Sequence, residues 1–331
     1  MANETEPHPY DALTPDTICR AIESLDMTPD GRLLALNSYE NRVYQVGIED
    51  AEPVVAKFYR PQRWPDAAIA EEHAFAAELA GADIPVVAPL PFDGQTLHTV
   101  ESFRFAVYPR RGGHWPELDE PERLKEIGRL VARLHNVGEL ARFQHRPTLD
   151  VESFGREPVD TVIDAQVLPD HLFDAYESVA DDLIDAVDAT LEQYPHVRHF
   201  RLHGDLHPSN VLDRDDALFL VDLDDARNGP AIQDLWMFLA GNRDERSAAL
   251  EALLEGYATF REFDASELAL IEAYRALRMV HYAAWLTSRY SDPAFQRAFP
   301  WFAEARYWEE HVLALREQRA ALDEPALAWL A

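Results

Sequence analysis

The chain has 331 residues, 47% of them hydrophobic, and a formal net charge of −30 from 60 acidic and 30 basic side chains. That length can bury one large core or two lobes, and the charge argues against a nucleic-acid or anionic-membrane surface. A single cysteine, Cys19, rules out an internal disulfide and suits a reducing cytoplasm, no run approaches the roughly 20 apolar residues of a membrane helix, and the acidic first segment does not read as a signal peptide.

The first informative segment is Leu36-Asn37-Ser38-Tyr39-Glu40-Asn41-Arg42-Val43-Tyr44-Gln45-Val46, a hairpin placed where a phosphate-covering loop would lie. Such loops use glycine so that backbone N–H groups come close to the phosphates. This one has none, so Ser38 and the neighbouring asparagines would have to supply side-chain donors. A plain polar β-turn is the competing reading. Next comes Pro53-Val54-Val55-Ala56-Lys57-Phe58, a β-branched run holding one lysine, close to the V-A-I-K pattern of a nucleotide-binding strand. Of the 30 lysines and arginines only two, Lys57 and Lys125, are lysine. A compact ammonium inside a strand suits α- and β-phosphate oxygens; an edge-strand lysine snorkelling to water is the plainer alternative. A phosphate-binding lysine needs a carboxylate to hold it. The helical spacing of 67–79 puts Ala70, Ala74, Phe75 and Ala77 on or near one face and offers Glu71 and Glu72 near its start, with Glu72 favoured. Strand-like runs at 43–46, 54–58 and 103–108 alternate with helical ones up to about 105. After Pro109-Arg110-Arg111-Gly112-Gly113 the pattern turns helical, over 124–134, 172–194, 232–253, 265–290 and 303–322. This predicts an α+β chain with a small mixed lobe, 1–108, and a larger, mainly helical one, 109–331.

The densest chemistry lies in Arg201-Leu202-His203-Gly204-Asp205-Leu206-His207-Pro208-Ser209-Asn210, followed by Leu220-Val221-Asp222-Leu223-Asp224-Asp225. An Asp, an Asn five positions on, and an Asp ending an apolar run is the residue order of a phosphotransferase. Asp205 can take a proton from an attacking hydroxyl; Asn210 offers a neutral oxygen to a metal and Asp222 a charged one. His203-x-Asp205-x-His207 also fits a metallohydrolase cluster or a polar turn between buried strands. Val211-Leu212, a polar turn at 213–216, and 217–221 read as a hairpin that returns Asp222 beside Asn210, and the hydrolase reading does not explain that return.

These residues resemble the choline-kinase and aminoglycoside-phosphotransferase branch of the protein-kinase-like fold, and most closely its bacterial serine/threonine protein kinases. The likeness is carried by 36–44, by Val55-Ala56-Lys57-Phe58-Tyr59-Arg60-Pro61, by 201–205 and 221–230, and by Gln233-Asp234-Leu235-Trp236 and Asp292-Pro293-Ala294-Phe295. It runs from about Leu13 to near the C-terminus. The resemblance implies a two-lobed kinase fold in a cytoplasmic, monomeric enzyme of a stress response, with ATP and Mg²⁺ and a Ser/Thr-bearing protein as partners. It also implies Asp205 as proton acceptor, Asn210 and Asp222 as Mg²⁺ ligands, Asp222 among the catalytic residues, and Ser38 as an ATP contact beside Lys57 and Glu72. Asp222 opens Asp-Leu-Asp rather than Asp-Phe-Gly, so activation-loop switching does not carry over. Phe105-Ala106-Val107-Tyr108 falls where the connecting segment would meet adenine through its backbone. His135 and Asp234 read as structural, the helical stripe Arg275, Arg278, His281, Tyr282, Trp285 as core and cleft wall first and substrate contact second, and Asp224 and Asp225 as turn carboxylates or second-metal contacts. A small-molecule kinase would use the same catalytic residues; a pseudokinase scaffold has no chemical need to keep Lys57, Asp205, Asn210 and Asp222 together.

Overall fold

A computed structural model of the chain describes residues 10–36, 38–215 and 217–329. Asn37 of the loop and Asp216 of the polar turn lie outside the described residues, as does the first segment. The chain forms two compact units, one of Met1–Glu117, Asn136–Arg146 and His207–Ala226, the other of Leu118–His135, Pro147–Leu206 and Arg227–Ala331. The segment 207–226, expected in the second lobe, thus belongs with the N-terminal residues.

The first unit is built on an antiparallel sheet in the order β1-β2-β3-β5-β4 (β1 Pro29–Leu36, β2 Arg42–Ile48, β3 Val54–Phe58, β4 His98–Val100, β5 Phe103–Pro109). Its apolar core is Ile18 and Ile22 of α1 (Pro15–Glu23) with Val46, Phe58, Phe105 and Val107 of the strands, all nearly solvent-free. Thr14 caps α1, its hydroxyl accepting from Thr17 N at 3.2 Å. The helix α2 (Asp66–Gly81) buries Ile69, Phe75 and Leu79, and with them the polar Glu72 and His73. The sequence-predicted hairpin is present as β7 (Val211–Arg214) and β8 (Ala217–Leu220), Val211 facing Leu220. It is fastened by backbone bonds of Leu220 to Pro85 and Val87, and of Asp213 to His114.

In the second unit β6 (Phe200–Leu202) pairs with β9 (Arg227–Gly229), among α3 (Pro121–Gly138, which enters the first unit at Asn136), α4 (Glu157–Asp164), α5 (Phe173–Glu192), α6 (Arg243–Tyr257), α7 (Ile271–Arg289), α8 (Pro293–Ala298) and α9 (Ala305–Ala321). α3 and α6 cross closely enough that a Cβ on Gly128 would strike the Leu253 carbonyl, and one on Gly256 the Lys125 carbonyl, so only glycine fits at both. The helix predicted over 232–253 is broken. Residues 231–234 and 236–238 form 3₁₀ turns, Gly241 takes φ +89°, and Asn242 starts α6 afresh with a capping box to Glu245. A left-handed glycine followed by a strong N-cap outweighs continuous apolar spacing. No helix among the described residues is long and apolar enough to cross a membrane.

Candidate active site

The antiparallel register seats Lys57 between Val43 of β2 and Ala106 of β5, so β3 is a central strand. The residue is 7% exposed, and its ammonium reaches two carboxylates, Asp222 Oδ1 at 3.1 Å and Asp224 Oδ1 at 3.0 Å. Burial disfavours its charge, but Asp222, Asp224 and Glu72 overcome this and hold the amine protonated, well above its usual range. The snorkelling alternative is ruled out.

Asp222 follows the hairpin, where Val221 N donates to the Asn210 carbonyl at 3.1 Å; two strands of four residues have returned the chain to its start. Asp222 itself has φ +60°, a left-handed conformation that Asp tolerates better than most residues. Its side chain stays 56% exposed while Lys57 grips one oxygen. Asp224 is 4% exposed. Its Oδ2 is bound by Arg63 and by Asn41 Nδ2, the latter at 3.1 Å. Burial pushes its carboxyl upward, but Arg63 and Lys57, with help from Arg146, hold it down at about 2.

Glu72 lies in the same wall but does not meet Lys57 directly: its ion pair is with Arg146 Nη1, at 3.5 Å. Burial raises its carboxyl to about 7 against the pull of Lys57 and Arg146. Glu71 has a separate task, accepting from the backbone N–H groups of Gln144, His145 and Arg146 at 2.8 to 3.1 Å. Arg146 then spends its fork on the carbonyls of Ala68 (3.1 Å), Ala226 (2.5 Å) and Asp224.

These groups open on a cleft of about 360 Å³ lined by Ser38, Lys57, Glu72, Asn210 and Asp222, with Val43, Val55 and Ala76 as apolar walls. Five of the six candidate site residues therefore meet within one unit. Residues 105–107 are sheet, not connector: the Val107 carbonyl is taken by Leu90 N at 2.7 Å, and it is Tyr108, Pro109 and Arg111 that line the cleft. The glycine-free loop is held by side chains, Asn41 to Asp224 as above and to Arg60 N at 3.0 Å, and Glu40 to Arg60 at 3.0 Å.

The sixth, Asp205, belongs to the second unit. β6 ends at Leu202, and Gly204 turns the chain with φ +85°. Fully buried Asp234 accepts from the N–H groups of His203 and Gly204, both at 2.8 Å. His135 Nε2 lies 3.2 Å from Asp234 and its Nδ1 2.9 Å from the Tyr257 hydroxyl. Asp234 and His135 thus hold the loop backbone, the structural role read from the sequence. Asp205 Oδ1 lies 2.6 Å from Arg278 Nη1 on α7.

Sequence reasoning missed Arg63, Arg146 and the Arg278 contact, offered Asn41 only among the asparagines that could donate to phosphates, and took Asp224 for a turn carboxylate or a second-metal contact. The repeated acid of Asp222-Leu223-Asp224-Asp225 was the available signal for Asp224. Arg146, in a non-periodic loop, gave none.

The model of the phosphotransferase enzyme family matches residues 32–277. This chain belongs to that family. Stress response kinase A of Escherichia coli O157:H7 is 45% identical over 318 residues, 96% of either chain. The serine/threonine protein kinase RdoA of Salmonella typhimurium (strain LT2) is 43% identical over the same shares. Among solved structures, a microcompartment-associated aminopropanol kinase superposes with a TM-score of 0.67 at 20% identity, over 94% of this chain and 100% of that one. Amicoumacin kinase hAmiN, in complex with AMP-PNP, Ca2+ and Ami, gives 0.67 at 18% over 86% and 89%. The protein is a phosphotransferase of the protein-kinase-like fold, and the expected α+β class holds.

Proposed function

We propose that this phosphotransferase moves the γ-phosphoryl group of ATP to Ser/Thr hydroxyls of a protein, in a stress response. The observation that carries the phosphoryl-transfer part is Lys57, buried against Asp222 where the hairpin from Asn210 ends. The protein acceptor rests on the relatives, which carry kinase names over nearly the whole chain.

Lys57 and Ser38 would bind phosphate oxygens, with the apolar wall of Val43, Val55 and Ala76 facing the base. Asn210 and Asp222 suit Mg²⁺, which takes one or two protein carboxylates or amide oxygens and completes its shell with phosphate and water. When bound, that ion supplies positive charge over the phosphates. Asp205 accepts the proton of the attacking hydroxyl, and the Asp234 grip on residues 203 and 204 fixes the loop that carries it. No cluster of three His, Cys, Asp or Glu able to hold a metal occurs among the described residues, which leaves the metallohydrolase reading without a ligand set.

A second reading, a kinase for a small amino alcohol or sugar, is favoured by the solved structures sharing the fold, which are small-molecule kinases by name. Radiolabelled ATP with a generic protein acceptor and a panel of small alcohols separates the two. Asp205→Asn should keep nucleotide binding and cut transfer at least about a hundredfold, the scale of a general base; near-normal turnover would remove Asp205 from the mechanism.

A further inference from the structure

Arg278 has the resources of a substrate-reading residue. Arginine carries five N–H donors in a planar fork. Among the described residues its one ion-pair partner is Asp205, at 2.6 Å, and its side chain is 36% exposed. Three other arginines meet partners inside the fold: Arg146 meets Glu72 and three carbonyls, Arg63 meets Asp224 and Asp225, and Arg275 meets Glu272. One turn further along α7, Tyr282 is 41% exposed and stacks on Trp285 at 5.7 Å between ring centres. In a chain with twice as many acids as bases, this stretch of α7 carries a cation and two stacked aromatic rings.

We propose that Arg278 determines acceptor specificity, holding Asp205 with one donor and offering the others to an anionic group next to the acceptor hydroxyl. That group is an acidic side chain flanking Ser/Thr in a peptide, or the carboxylate of a small hydroxy acid. The inference deepens the proposed function and rests on Asp205 being its proton acceptor. The guanidinium sits on Asp205 Oδ1, at 2.6 Å, so a water does not readily reach that oxygen to give up its proton. An acceptor anion draws the guanidinium toward itself and opens Oδ1 to the acceptor hydroxyl. The hydroxyl proton then passes to Asp205, the hydroxyl oxygen bonds to the γ-phosphorus, and the bond from that phosphorus to the β–γ bridging oxygen breaks, its electron pair leaving on ADP.

The test uses the full chain, radiolabelled ATP and two matched acceptor pairs: a Ser peptide flanked by Asp or by Lys, and lactate against propanediol. Wild type should favour the anionic member of at least one pair in kcat/KM, and which pair responds identifies peptide or small molecule. Arg278→Gln should reduce that preference by about tenfold or more, the scale of a lost charge-assisted hydrogen bond, and Arg278→Lys should keep part of it. Arg278→Gln should also raise acceptor-free ATP hydrolysis about threefold or more, since Asp205 Oδ1, released by the guanidinium, can then accept from water, and adding Asp205→Asn should abolish the gain. Where any acceptor is phosphorylated, its preference ratio decides: an unchanged ratio in Arg278→Gln, or wild-type preference for the neutral or basic member, overturns the proposal. Where none is, unchanged hydrolysis overturns it. Thermal melts check folding, and Arg278→Lys is compared instead if the Gln variant is unfolded. Absence of any Asp205-dependent ATP turnover sinks the kinase reading itself.

Discussion

At Lys57 the decisive facts are one ammonium, two carboxylates at about hydrogen-bond distance and almost no water. A guanidinium is larger and planar and prefers paired contacts, so Lys57→Arg should lose most ATP turnover even though arginine is this chain's habitual cation. Lys125 provides the control. It sits on α3, paired with Glu122 at 2.9 Å and Glu255 at 3.1 Å, both contacts that arginine reproduces, so Lys125→Arg should leave turnover and melting unchanged. Equal activity in the two variants would reduce Lys57 to a structural charge. Asp224 tests the same network from below. Removing it leaves Lys57 with Asp222 alone and Arg63 with Asp225 and Glu40, so Asp224→Ala should cost about 3 kcal/mol, the low end for breaking a buried ion pair. Because its folded carboxyl is held at about 2, below an unfolded aspartate, its contribution is present above about pH 4 and lost as pH falls toward 2. Urea unfolding of both proteins at neutral pH and near pH 3 should show the gap between them narrowing in acid.

At the scale of elements, the site is assembled by short connections rather than by long helices. The 3₁₀ segment Ala265–Leu270 places Glu267 so that it accepts from Ile232 N at 2.8 Å, two residues before the Asp234 that holds the backbone of residues 203 and 204. Burial raises the Glu267 carboxyl to about 7, so the folded state binds its proton more tightly than the unfolded one. Its contribution is therefore complete below about pH 4.5 and lost as pH rises through 7. Glu267→Gln keeps the accepting oxygen and removes the titration; between pH 5 and 7.5 its melting temperature should gain on wild type. Parallel curves would show that Glu267 titrates normally. The strands and the hairpin were legible because β-branched alternation and turn residues act locally: Val54–Phe58 and 211–220 fall where the sequence put them. The helix run through 232–253 was misread because apolar spacing is blind to a left-handed Gly241 and to a buried aspartate that takes backbone N–H groups. Lys57, Asn210 and Asp222, expected together from a strand and a hairpin, line one cleft, whereas charges meeting from distant segments, as Arg63 does at Asp224, leave no local pattern to read.

Over the whole molecule, the charge of −30 sets a term that no single pair reveals. The ion pairs around Lys57 and Asp224 are buried and are screened little by salt, whereas excess carboxylates on solvated helix faces repel one another across a Debye length of about 30 Å at 0.01 M salt and about 8 Å at 0.15 M. Self-repulsion of a compact, highly charged chain favours expansion, while surface pairs such as Arg306–Glu310 and Arg319–Asp323 are screened by water and contribute little. With twice as many acids as bases, repulsion is the larger of the two effects that salt removes. The melting temperature should therefore rise as NaCl goes from about 10 to 150 mM and level off once the Debye length falls below the spacing of surface charges. Scanning calorimetry at fixed pH measures this directly. A melting temperature that falls over the same range would mean that surface attraction outweighs net charge, and the acidic composition would then contribute nothing to the chain's stability.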